Sequence, residues 1–168
     1  MTKSLLLVGA LACATGLLAV PRTALAQVEV DRVVSRVSGR VITLSDVRQA
    51  SMLHLVGDTS SDDAVLRALE NRLLILDELS RAAPLPPSTD EDLGARRTEW
   101  RAALGGADTG ALLVRAGMGE ADLSAWLRDD VRINAYLRRQ FGMLAGPERE
   151  KATADWVARL RQRADLQP

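Results

Sequence analysis

Hydrophobic positions in this chain form one unbroken apolar run near the start and then, from residue 31 onward, short alternating and helical stripes. In Asp31–Val37, apolar Val33 and Val37 alternate with polar Ser35, and Val34 points to the other face. Ser38-Gly39 supplies a residue able to take positive φ, and Arg40-Val41-Ile42 reads as a return strand, so a hairpin is expected. Thr43-Leu44-Ser45-Asp46 is a capping box that opens a helix expected to run from Leu44 to Val56. A second helix, from Asp62-Asp63 to Ala83, carries Val65, Leu66, Leu69, Leu73, Leu76 and Leu79, with Leu74 and Ile75 widening the stripe. That breadth predicts the central, most buried helix.

The prolines of "APLPPS" end the second helix, and Ser88-Thr89-Asp90-Glu91 caps a third that places Leu93, Trp100 and Leu104 on one side. Breaks at "GGADTG" and at Gly117-Met118-Gly119 bracket a short helix over Ala111–Ala116. A fifth helix is expected over Glu120–Leu144, with Leu123, Trp126, Ile133, Leu137 and Leu144 at helical spacing, stopped by Gly146-Pro147. The last, Glu148–Ala164, puts Ala152, Trp156, Leu160 and Ala164 four apart on one line. An isolated two-stranded ribbon is marginal. The extended residues near Asp165–Gln167 are therefore expected to pair with Val33–Val37 or its return strand. The expected fold class is mainly α: an orthogonal bundle of about six helices with a small β-hairpin joined by a short C-terminal strand.

The early apolar run changes the domain count. Lys3, then "LLLVGALACATGLLAV", then Ala24-Leu25-Ala26 have the basic, apolar and small-x-small order of a secretory signal peptide, so residues 1–26 are set apart and 27–168 form a single domain. The alternatives are an uncleaved anchor and a lipoprotein with Cys13 as acceptor. Cys13 is the only cysteine, so residues 27–168 have neither disulfides nor a thiol, and their stability must come from packing. Without Lys3 and Arg22, the chain's 22 bases and 22 acids become 20 against 22. That balance points to neither nucleic acid nor an anionic membrane as partner.

Candidate chemistry is sparse. His54 is the sole histidine and, in the first helix, has no acidic residue at i±3 or i−4, Asp58 at i+4 falling in the loop beyond the helix; with no cysteine or second histidine, a metal site of the usual kind lacks ligands. Asp62-Asp63 and Asp129-Asp130 are neighbours on helices and point about 100° apart, so neither pair shares a site. The first suits a helix start and the second a solvated face. Ser45, Ser80, Ser88 and Ser124 have no base nearby in sequence, and the glycine clusters lack the strand and lysine of a phosphate loop. Trp100, Trp126 and Trp156 read as core, the alternative being that one lines an apolar groove for a peptide.

Four segments, taken in order, carry a resemblance: "VDRVVSRVSGRVITLSDV", "VLRALENRLLILDELSR", "LLVRAGMGEADLSAWLRDDVRINAYLRRQF" and "WVARLRQRADLQ". Together they resemble the SurA-like periplasmic chaperones, the SurA N-terminal domain family, over almost all of residues 27–168. Two departures stand out. Ser38 occupies a turn position where the family commonly has Asn. Only six residues separate Phe141 from Glu148, so the family's parvulin prolyl isomerase domain has no room, and His54 alone cannot supply that domain's histidine pair. The resemblance thus implies a periplasmic, non-enzymatic, ATP-independent and cofactor-free chaperone core that binds unfolded outer-membrane proteins or other extended polypeptides in an apolar groove. It implies no stable membrane insertion once the signal is removed. Candidate groove residues are Met52, Leu55, Met118 and Trp126, the methionines suiting a promiscuous surface, although each could equally be core. The alternative is an interaction or assembly subunit docking one folded periplasmic partner.

Overall fold

The computed structural model describes residues 31–84 and 86–164, together with the strand pairing of 166–167. The expected signal peptide at 1–26, with Cys13, lies outside the described residues. Strand β1 (Val33–Val37) turns through Ser38 and Gly39 into β2 (Arg40–Thr43). Both turn residues have positive φ, 49° and 80°. Such a pair matches the right-handed twist of a two-residue hairpin. Gly39 takes this conformation freely; Ser38 does so against its Cβ.

The ladder pairs Val37 with Arg40, Arg36 with Val41 and Ser35 with Ile42, then slips so that Val33 meets Thr43. The bulge leaves Val34 as the extra residue and turns Val33 outward, 42% exposed, against the expected inward alternation. Ser35, Val37 and Ile42 are the hairpin's buried residues. The tail strand β3 (Leu166–Gln167) runs antiparallel to β1, giving the order β2-β1-β3, so the third strand expected at the closing residues is present.

Helix α1 (Leu44–Met52) begins at the expected capping box, where Thr43 accepts from the Asp46 N–H and Asp46 accepts from the Thr43 N–H. It ends four residues before the expected Val56. His54 takes φ 48°, its N–H donates to the Ser51 carbonyl, and the Leu55 N–H donates to the Ala50 carbonyl at 2.9 Å. This is a Schellman motif with histidine, rather than glycine, in the left-handed position. His54 is thus just past the helix, not within it.

Helix α2 (Asp62–Arg81), capped by Ser61, buries Val65, Leu69, Leu74, Ile75 and Leu79. It packs against α1, both hairpin strands and the two long helices that follow, and is the central helix its stripe predicted. Helix α3 (Asp90–Ala103) has a Thr89/Asp92 capping box and buries Trp100, whose Nε1 donates to the Leu53 carbonyl at 2.8 Å. Helix α4 (Thr109–Ala116) ends at Gly117, φ 66°, with the Met118 N–H donating to the Leu113 carbonyl, the same motif that ends α1.

Helix α5 (Glu120–Phe141) stops three residues before the expected Leu144, and α6 (Gly146–Arg163) starts at the Gly-Pro expected only to separate the two. Proline fits the first helical turn because the N–H it lacks would be unpaired there in any case. The line Ala152, Trp156, Leu160 and Ala164 is the inward side of α6. Trp156 packs on Tyr136 and Phe141 of α5, with ring centroids 5.7 and 5.9 Å away. Arg161 binds Glu70 at 2.8 Å and Asn71 at 2.9 Å, and Ser35 donates to Glu70 at 2.7 Å, so one polar cluster ties α6, α2 and β1 together. The result, among the described residues, is a mainly helical fold of six helices with a small N-terminal hairpin. Among the described residues no helix is long and apolar enough to cross a membrane.

Candidate functional site

A groove of about 420 Å³ opens between α1, α2, α5 and the edge of β2. Each wall is a helical repeat. From α2 come Leu69, Arg72, Leu73 and Leu76, and from α5 come Asp122, Ala125, Trp126 and Asp129, both at i, i+3, i+4, i+7. Asp46, Gln49 and Ala50 of α1 continue the pattern, and Arg40, Val41 and Ile42 close the strand side.

Leu55 and Met118 also line the groove, and the fold delivers them in the same way. Each follows the left-handed residue of a Schellman motif, His54 or Gly117, which folds the chain back across its own helix end. Gln49 links the two motifs by donating to the Ala116 carbonyl at 3.0 Å.

At the floor, α2 and α5 are joined by charge. Arg72 pairs with Asp130, donates to the Trp126 carbonyl at 2.9 Å, and lies over the Trp126 indole, 3.8 Å from its centroid. Arg96 from α3 binds the other oxygen of Asp130 at 2.8 Å. Asp130 is therefore buried, 8% exposed, and not on the solvated face expected for Asp129-Asp130. The reason is helical phase: Leu123, Leu127 and Asp130 are spaced i, i+4, i+7 and all face the core. Asp129, one position round, pairs with Arg132 and lines the groove. Trp126 is half-buried, and its Nε1 is enclosed without a hydrogen-bond partner among the described residues.

Three of the four sequence-derived candidates thus converge: Leu55, Met118 and Trp126 share the groove. Leu55 is also core, 5% exposed. Met52 stands apart, exposed on α1 and outside the lining. Sequence reasoning missed Arg72, Leu73, Leu76 and Val41 as groove residues. The i, i+3, i+4, i+7 run at 69, 72, 73 and 76 was visible, but nothing local marked that face as open. A second hollow, of about 640 Å³, lies between α5 and α6 and is lined by Asn134, Leu137, Arg138, Arg149, Glu150, Thr153 and Ala154.

The serines considered as nucleophiles are otherwise engaged where hydrogen bonds are defined. Ser80 donates to the Asp77 carbonyl, and Ser124 donates to the Glu120 carbonyl while accepting from Arg97. Among the described residues no three His, Cys, Asp or Glu side chains converge as a metal site. No protein-family model, curated protein or solved structure matches the chain.

Proposed function

We propose that the protein is a periplasmic, ATP-independent chaperone-like module that holds extended segments of unfolded polypeptide, outer-membrane protein precursors among them, in the groove between α1, α2 and α5. The observation that carries this reading is the composition of that groove: Leu55, Leu69, Leu73, Leu76, Met118 and Trp126 meet in one open concavity with charges at its rim. Concave, mostly apolar surfaces with a few placed polar groups are where ligands bind. Leu76 is half-buried yet not packed on the core, as expected of a surface awaiting a partner. Trp126 supports the same reading, since a tryptophan with an unpartnered N–H is a costly choice as simple core filling. The resemblance to the SurA N-terminal class supports the localisation, an orthogonal helical arrangement and the absence of isomerase activity. With only six residues between Phe141 and Glu148, the isomerase insert has no place there, and the proposed activity rests on the binding core.

The test is dilution of a urea-unfolded outer-membrane β-barrel into buffer with the purified protein, followed by light scattering. Delay of aggregation at stoichiometric ratio is expected, and Leu76→Lys should abolish it with the fold intact by circular dichroism. No protection at several-fold excess would overturn the proposal. A stoichiometric complex with one folded periplasmic protein, and no affinity for unfolded chains, would put an assembly subunit in its place.

A further inference from the structure

Val41 and Ile42 are neighbours in β2, so their side chains lie on opposite faces of the sheet, yet both line the groove. A groove that touches both faces of a strand abuts its edge. One edge of β2 is taken by β1 and the other is unpaired among the described residues, so the groove runs along that second edge. The two-residue turn closes on the hydrogen-bonded pair Val37–Arg40, and the ladder then alternates, making Ser35–Ile42 hydrogen-bonded and Arg36–Val41 not. The N–H and C=O of Val41 therefore point away from β1, toward the groove.

Charge adds a second constraint. Arg72 and Arg96 share Asp130, with Glu99 3.6 Å from Arg96, and Asp129 is paired with Arg132 at 2.9 Å. Among the described residues that line the groove, the exposed carboxylates of Asp46 and Asp122 remain, against the single cation Arg40. Their hydrogen bonds to the N–H groups of Thr43 and Gly119 leave the negative charge in place.

We infer that the groove takes its polypeptide by strand addition: an extended, apolar segment flanked by basic residues pairs its backbone with Val41 at the free edge of β2 and lays alternate side chains onto Leu73, Leu76 and Trp126. This rests on the reading of the groove as a polypeptide site and specifies how the backbone is read and which charge is preferred. Edge pairing supplies sequence-independent affinity, and pockets for alternate side chains supply selectivity.

The probe is a fluorescein-labelled peptide, KVTYTVTK, followed by anisotropy with the full-length mature protein. Two backbone N-methylated versions, each blocking one alternate set of N–H groups, separate strand pairing from apolar adhesion, because an added strand uses only one set. One version should bind about tenfold more weakly than the other, because it loses the hydrogen bond to the Val41 carbonyl and sets a methyl group against the strand edge. On the protein, Val41→Pro removes only an N–H that β1 does not use, which an edge strand tolerates. It should weaken binding by about the same tenfold factor, and by more than Val41→Ala, which trims the side chain but keeps the N–H. EVTYTVTE should bind more weakly than KVTYTVTK, with the gap closing in 0.5 M salt.

Equal binding of the two N-methylated peptides overturns strand addition while leaving the groove reading intact; this arm holds even if Val41→Pro fails to fold. A concentration-dependent dimer dissolved by Val41→Ala or Val41→Pro would overturn it in favour of a second copy on the edge. No binding of KVTYTVTK or EVTYTVTE at millimolar protein would remove both this inference and the groove reading.

Discussion

Asp130→Asn removes the one negative charge that α2, α3 and α5 hold in common. Side-chain exposures are 9% for Asp130, 11% for Arg72 and 24% for Arg96. The asparagine keeps one oxygen acceptor but turns an amide N–H₂ toward a guanidinium. Arg96 can retreat, since Glu99 lies 3.6 Å away and solvent is near. Arg72 cannot; it keeps only the Trp126 carbonyl and indole face as partners. Breaking a buried pair from one side costs about 3–5 kcal/mol, and the Trp126 contacts place this site at the low end, at about 3 kcal/mol. Urea unfolding followed at 222 nm should show the midpoint falling at unchanged m-value, with Tm lower by about 10 °C. Arg72→Met combined with Asp130→Leu should recover most of that loss, because apolar replacement of a whole buried pair is close to neutral. A cost below about 1 kcal/mol for Asp130→Asn alone would refute the argument, since it would make the cluster no stronger than a surface pair.

His54→Gly should raise stability by about 0.5–1 kcal/mol, because it removes a Cβ from a left-handed residue; Gly117→Ala should lower it by a similar amount and, by displacing Met118, weaken peptide binding in the anisotropy assay. Asp92 accepts from the N–H and hydroxyl of Thr89, and these bonds hold its carboxyl below the ordinary aspartate value of 3.8. The cap's contribution is therefore complete above the unfolded value and is lost as pH falls through the lower folded one; NMR titration of the Asp92 carboxyl should show the depressed midpoint, and Thr89→Ala should raise it. Arg161→Ala should loosen α6 and β3 first, with hydrogen exchange across 146–167 accelerating more than in α2.

Local interactions were the legible part of this fold. The starts of α1, α2 and α3 follow from Thr43/Asp46, Ser61 and Thr89/Asp92, where donor and acceptor lie three residues apart. The hairpin was readable from Ser38-Gly39, and the buried line of α6 from its spacing of four. What failed depended on distant partners or on how a helix ends. The apolar rhythm of α1 continues through Leu55 and Val56 because the Schellman turn also directs those residues inward, so periodicity alone could not find the end of the helix. Asp130 read as solvated because Arg72 and Arg96 are 58 and 34 residues away. Its phase with Leu123 and Leu127 was the overlooked signal.

The groove and the stability of the domain are linked through the same side chains. Leu69 is core and wall at once, and Leu55 is both the residue after a helix cap and part of the groove. Arg72 has the most consequential double role. Its guanidinium occupies the space under Trp126 that a leucine or methionine could fill, and its pairing with Asp130 fixes the spacing of α2 and α5 at the groove floor. An all-apolar floor could match the stability, but the two walls would be free to close on one another. A charge-paired spacer prevents that closure, because Arg72 could not move deeper without losing Asp130 or the Trp126 carbonyl. On this argument the ion pair is retained for the shape of the groove rather than for net stability. Leu73, Leu76 and Trp126 stay half-buried because the helices carrying them are held apart from below.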